Sequence, residues 1–433
     1  MARTLPPKSE ENSALGFFLL LMYTIAVFIR PQEWNYSAED FPIARLILIL
    51  AFLCYLLLQK SKVWGYQAWF LVGLVVVPQI SGIRNAAFLD GFTQAQNMFI
   101  YALLPYLLYS GYLNTQKKSN YILFILAVAS IVMLHHGIGQ KFSPDGIGWT
   151  GEKLSQGTRI TYIGIFNDPN DLAMFFVMCV PLMFYLKENA TNLLLKLGYF
   201  SLIIGLFYGI FLTNSRGGLV GVLSMTLCYF YFQYGKFKTI LLTIVTVPIV
   251  YVVMSKFRAI DSQEDSAQGR IQAWYDGIQM FKYRPLTGVG KGEFFEIHYR
   301  TAHNSYVLIL AELGIIGYTF WFMAIALTLM MLVRVFRLDA DKYCENKELL
   351  SEIFLAKCLF FSFIGYMSTA FFLSRSYMIF LFIFIGISCA LFYRVLKQVP
   401  EIVDVNTNKN IFRLIFASFA SVVLLYIIII ALL

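Results

Sequence analysis

Residues 303–335 read HNSYVLILAELGIIGYTFWFMAIALTLMMLVRV. From 309 to 335 the run is apolar and long enough to cross the roughly 30 Å hydrocarbon core of a bilayer. Strands of a membrane barrel would alternate polar and apolar residues, and this run does not. A helix, whose backbone groups bond within the segment, is therefore the economical reading. A histidine–asparagine pair stands at its mouth.

Working outward, apolar runs of similar length recur at about 14–29, 43–59, 64–81, 92–111, 120–136, 171–186, 196–213, 218–235, 238–255, 350–372, 376–395 and 412–433. The chain of 433 residues is 59% hydrophobic and only 14% charged, where a soluble domain is nearer a quarter charged. The fold class expected is all-α: a polytopic helical membrane protein of about 12–14 transmembrane helices, forming a single membrane domain over residues 1–433. The opening MARTLPPKSEENS has no signal-peptide cleavage pattern, so the first apolar run is expected to be an uncleaved span. Of six cysteines only Cys344 lies outside the apolar runs, and none is spaced as a metal or redox motif.

Basic residues orient the spans. With Arg3 and Lys8 in the cytoplasm, the following cytoplasmic loops hold Lys60 and Lys62, Lys117 and Lys118, Lys187, and Lys236 and Lys238. Arg334, Arg337 and Lys342 continue the series, then Arg394 and Lys397. Two long segments, 137–170 and 256–308, fall on the outer side. The second carries helical spacing in GRIQAWYDGIQMF, where Ile271, Trp274, Ile278 and Phe281 recur. A helix on the membrane surface or over a cavity is expected there.

Ionisable and polar residues at that outer face are the candidates for chemistry, because a charge at the membrane is costly unless solvated or paired. In TNSRGG (213–218) Arg216 either presents its guanidinium to an anion or snorkels at a helix hairpin. In GRIQAW, Arg270 and Trp274 are one helical turn apart, in a loop whose acids offset its bases. RITYIGIFNDPNDLAMFF (159–176) crowds Asp168, Asn170 and Asp171 at the start of a span, where Asn170 or Asp171 would cap the helix; Arg159 just upstream is a further candidate anion contact. In GVGKG the glycines at 288, 290 and 292 indicate a tight turn, without the lysine–hydroxyl pair of a phosphate loop. His303, followed by Asn304, is either a hydrogen-bonded residue at a helix start or a general base. Adjacent His135 and His136 cannot comfortably share one metal, and no metal site or carboxylate motif for one is expected.

Taken together these stretches resemble the O-antigen ligase and polymerase superfamily of bacterial envelope glycosyltransferases. The signature of that superfamily is His, then Asn, Ser or Gln, nine residues, Gly, two residues, then Gly, Thr or Tyr. The chain offers His303–Asn304, nine residues from Ser305 to Leu313, Gly314, Ile315–Ile316 and Gly317. PLTGVGKGEF, GRIQAW, SRGG and NDPNDLA look like further landmarks, and FIRPQEW (28–34) is similar to members linked to exopolysaccharide clusters.

The resemblance implies a GT-C type fold with a long, partly helical periplasmic loop, in a multi-pass protein of the bacterial inner membrane. It implies transfer of a glycan from undecaprenyl diphosphate to an acceptor hydroxyl at the periplasmic face, inverting and without metal or other cofactor. The acceptor would be the lipid A core (ligase), another lipid-linked repeat unit (polymerase) or a protein hydroxyl; no nucleic acid is involved. His303 would be the base. Arg216 and Arg270 would hold the diphosphate, with Arg159 as a third contact and Asn304, Asp168, Asn170 and Trp274 in support. The two glycines would let the span pack closely. A transporter would instead show ionisable residues near mid-span and broken helices in paired halves, and a scaffold would not need these residues on one side.

Overall fold

A computed structural model of the protein describes residues 13–34, 42–60, 62–260, 267–402 and 408–432. Arg3 and Lys8, and the side chains of Lys256 and Arg258, lie outside the described residues. The described chain is helical without a strand; two isolated bridges, Ile147 with Lys153 and Ser155 with Arg159, shape one loop.

In chain order the helices are α1 (Ala14–Phe28), α2 (Ile43–Leu57), α3 (Tyr66–Arg84), α4 (Phe88–Met98), α5 (Leu104–Tyr112), α6 (Gln116–Phe142), α7 (Pro169–Glu188) and α8 (Leu193–Leu212). Then follow α9 (Arg216–Ile260), α10 (Ala267–Tyr283), α11 (Glu293–His298), α12 (Ser305–Phe336), α13 (Lys347–Ala370), α14 (Ile379–Gln398) and α15 (Asn408–Leu432). Each expected apolar run overlaps one of these helices. Among the described residues eight helices are long and apolar enough to cross a membrane, while α1 and α2 are shorter. The chain is a multi-pass, all-α membrane protein.

Two irregularities have plain causes. A π turn over Phe99–Leu103 joins α4 to α5, where Pro105 has no N–H for the carbonyl of Tyr101 and the helix slips its register. Within α9, Gly235 adopts φ 81°, ψ 174°, so two helices meet there. It separates the two apolar runs at 218–235 and 238–255.

α7 and α14 form the centre of the bundle, each with 89% of its apolar window buried, against 28% for α8 and 22% for α15. Between Leu172 and Leu186 the residues of α7 are apolar all round, as a helix covered on every side must be. Small residues bring backbones together: a Cβ on Gly386 of α14 would lie 3.0 Å from the carbonyl oxygen of Tyr106, and one on Gly221 of α9 would meet Thr369 at 2.6 Å. Near the start of α13 and the end of α14, Glu352 and Arg394 form a buried bidentate pair at 2.6 and 2.9 Å. Arg394 also donates to the carbonyl of Leu113 at 2.5 Å.

α6 runs on to Phe142, so the first long connection starts later than the apolar pattern indicates. The loop wraps that helix end: His136 Nδ1 meets Thr161 O at 3.0 Å, and Gln140 donates to Thr161 Oγ1 at 3.0 Å. The second long connection carries α10 at the position of GRIQAWYDGIQMF and packs it across α12 and α15.

Candidate active site

The site is built where α7, α9 and α12 begin and α13 ends. Asp168 caps α7, its carboxylate accepting from Asn170 N at 2.8 Å. The cap is therefore Asp168 rather than Asn170 or Asp171. Proline at 169 is the reason: it fits the first helical position, and the residue before it becomes the cap.

Asp171 is thereby free for another partner. Only 1% exposed, it accepts from Arg375 Nε at 2.5 Å, and Arg375 Nη2 stands 3.6 Å from Asp168. Arg375 lies in the short connection between α13 and α14. Burial works against its charge, but Asp171 and Asp168 outweigh this and raise the guanidinium above its ordinary value.

That connection is sewn to the histidine segment. Arg375 N donates to Ser305 Oγ at 2.8 Å, Ser305 Oγ donates to Leu373 O at 2.5 Å, and Ser376 Oγ donates to Ser305 O at 2.6 Å. Asn304 caps α12, accepting from Tyr306 N and Val307 N at 3.0 and 3.1 Å. Its amide nitrogen is buried without a partner among the described residues. His303, half-buried, has φ 46°, a left-handed conformation uncommon outside glycine and held by its neighbours on both sides.

On the preceding side, Trp274 Nε1 donates to Ala302 O at 2.9 Å, and its ring meets Phe371 edge-on at 5.4 Å. Arg270, one turn earlier, shares that face of α10. Its Nε is buried and has no partner among the described residues.

Arg216 opens α9, and the glycines after it explain the placement of this turn. A Cβ on Gly217 would lie 3.3 Å from Phe372, and one on Gly218 would overlap Ala173 at 2.9 Å. Both are tighter than ordinary contact, so the start of α9 is seated on α7 and the end of α13. Arg159 is 3% exposed and spans the turn and α7: Nε donates to Thr213 O at 2.9 Å and Nη2 to Asn170 Oδ1 at 2.8 Å. In this structure it braces the SRGG turn. Contacts thus link Arg159, Asp168, Asn170, Asp171, Trp274 and the His303–Asn304 segment, and they add Arg375.

Gly314 does not serve helix-against-helix packing. It breaks α12 with φ 62°, ψ −166°, a conformation essentially restricted to glycine. A Cβ there would lie 2.5 Å from the backbone of Leu286, and one on Gly288 would lie 2.2 Å from Glu312 C. The two chains cross backbone to backbone. Val289 N and Gly290 N donate to Ala311 O and Glu312 O at 3.0 Å each, while Ile315 N and Ile316 N donate to Pro285 O and Leu286 O at 2.9 and 3.2 Å. The connection 285–290 satisfies the groups that the broken helix leaves open.

Beside the crossing, Glu312 accepts from Gly292 N and Tyr377 Oη at 2.9 Å each. Lys291 donates to Gln94 Oε1 at 2.6 Å; burial lowers its ammonium below the usual lysine range, with Glu312 opposing. Sequence reasoning passed over this cluster and Arg375. The signal available for Arg375 was one arginine in a short connection between two apolar runs.

No curated protein matches the chain. Residues 200–322, which carry Arg216, Arg270, His303, Gly314 and Gly317, match the model of a family described as O-antigen ligase, and this match supports the O-antigen ligase and polymerase superfamily as the one this chain resembles.

Proposed function

We propose that the protein transfers a preassembled glycan from undecaprenyl diphosphate to an acceptor hydroxyl at the periplasmic face of the bacterial inner membrane, as an inverting, metal-independent glycosyltransferase of the O-antigen ligase type. The observation that supports this reading is the family match over a segment that carries His303, Arg216 and Arg270. His303 takes the proton of the acceptor hydroxyl. That oxygen attacks the anomeric carbon, the bond from this carbon to the diphosphate oxygen breaks, and undecaprenyl diphosphate leaves with its added negative charge. Arg216 and Arg270 stabilise this charge. Arg159 holds the Arg216 turn against Asn170 and α7, and Arg375 holds the His303 segment against Asp171.

The test is product formation from undecaprenyl diphosphate glycan by purified protein, with and without EDTA. A general base contributes typically about 10²–10⁴-fold, so His303→Ala is expected to lose activity on that scale while staying folded. Unchanged transfer in His303→Ala sinks the catalytic-base role, and unaltered donor kinetics in Arg216→Ala and Arg270→Ala sink the diphosphate role. Glycan on lipid A core identifies a ligase, longer lipid-linked chains a polymerase, and glycosylated protein a protein transferase.

A further inference from the structure

A cavity is lined in part by the connection that holds Arg375. It has a volume of about 410 Å³ and is walled by the end of α1, the 3-10 turn Pro31–Glu33, the start of α2, the π turn and residues Tyr377 to Ile379. Three separate features of the fold converge on it.

Arg30 is left-handed, with φ 58°. This turns its guanidinium onto Glu33, with Nε donating to the carboxylate at 2.7 Å, and lays it against Gly164, where a Cβ would overlap it. Such a conformation costs a non-glycine residue roughly 1–2 kcal/mol. The π turn places Ile100 and Tyr101 in the wall, and Tyr101 Oη accepts from Arg45 Nη2 at 3.1 Å; π turns of this kind are frequent at functional sites. Tyr23 lines the cavity at 2% exposure, and its hydroxyl has no hydrogen-bond partner among the described residues. A buried hydroxyl left without a partner costs about 1–3 kcal/mol, which a ligand would relieve.

The geometry points to a glycan subsite in this cavity, taking a sugar unit beside the transfer centre. Two guanidinium groups (Arg30 and Arg45), a carboxylate (Glu33), an amide (Gln32) and phenols stand among aliphatic walls. Sugar hydroxyls both donate and accept, so they can use all of these groups, while the ring C–H faces rest on the walls. A phosphate would face the carboxylate of Glu33, and an acyl chain would leave the hydroxyl of Tyr23 unpaired. Trp34, next to Glu33 in the chain, and Trp149 are exposed and 5.0 Å apart edge to face, adding aromatic surface outside. The assignment rests on the glycan-transfer reading. Its link to that centre is Tyr377, two residues beyond Arg375.

The experiment uses full-length His303→Ala protein in nanodiscs and two lipid-free probes. One is the repeat-unit oligosaccharide released from the surface polysaccharide of the producing strain, and the other is its delipidated core oligosaccharide. Saturation-transfer NMR titrations follow each. One probe is expected to bind, and Glu33→Gln, Arg45→Gln and Tyr23→Phe each to weaken it about tenfold, or 1.4 kcal/mol. Binding of the repeat unit places the donor or a growing chain in the cavity; binding of the core places the acceptor there. Failure of both probes to bind overturns the subsite, as do unchanged affinities in the variants. Tyr23→Phe removes a single oxygen and keeps the test decisive if the charge variants fold poorly. Transfer that depends on His303, with binding untouched by these variants, overturns the subsite alone. Transfer that persists without His303 overturns the catalytic reading alone.

Discussion

At the end of the bundle where α13 starts, Arg394 gives both sides of its fork to Glu352 and its remaining group to the carbonyl of Leu113. Where α13 ends, Arg375 gives Nε to Asp171 and holds Nη2 at 3.6 Å from Asp168. Both pairs join an arginine to a carboxylate that is almost wholly buried. They differ in what is left over: the Arg394 side chain is 6% exposed and its donors are engaged, whereas the Arg375 side chain is 32% exposed. A saturated guanidinium can only hold helices together. A partly open one leaves part of its surface uncovered, so the same residue pair is a closed rivet at one end and an accessible one at the other.

The largest expected effect is on the closed pair. Arg394→Ala leaves Glu352 buried without its partner and should cost about 3–5 kcal/mol. Thermal unfolding in detergent measures it, while transfer per folded molecule should stay unchanged; a marked loss of transfer there would erase the contrast between the two ends. Next, Gly314→Ala forces a side chain into a glycine-only conformation at about 1–3 kcal/mol of strain, before its overlap with Leu286. A melting temperature equal to that of the wild type would show that the crossing of α12 is not the built feature described above.

Arg375→Lys sharpens the comparison. Lysine keeps the positive charge beside the buried Asp171 and gives up part of the hydrogen bonding, so stability should fall by about 0.5–1.5 kcal/mol. Transfer should fall further, because lysine is a point charge without the fork that reaches Asp171 and Asp168, and so holds the His303 segment less firmly. Equal losses in stability and transfer would reduce Arg375 to a second rivet. The smallest effect is expected for Asp168→Asn, since asparagine caps a helix about as well as aspartate and Arg375 touches Asp168 only distantly. Its stability should stay within about 0.5 kcal/mol of the wild type, read as a nearly unchanged melting temperature.

The helices were legible in the sequence because each span must be apolar over its own length, a local requirement. His303, Arg216 and Arg270 could be singled out in the sequence as candidates, on their place at the outer face and on the resemblance of the stretches that carry them. The pairing of Arg375 with Asp171 was not legible, since the two are 204 positions apart and neither stretch names the other. The cap at Asp168 was readable in principle from Pro169, yet the crowd of polar residues drew attention to Asn170 and Asp171. Gly314 was visible as a position but not as a function: what it makes room for is Leu286, on a connection that local spacing does not tie to α12.

The crossing of Gly288 and Gly314 also bears on how the molecule can be rebuilt. Four backbone hydrogen bonds stitch residues 285–290 to residues 311–316, and neither glycine position admits a Cβ. A chimaera that grafts α12 from another protein while keeping this chain's own connection, or the reverse, would splice across that seam. The two segments form one cassette although α11 separates them in the chain, and a graft should fold only when both halves are moved together.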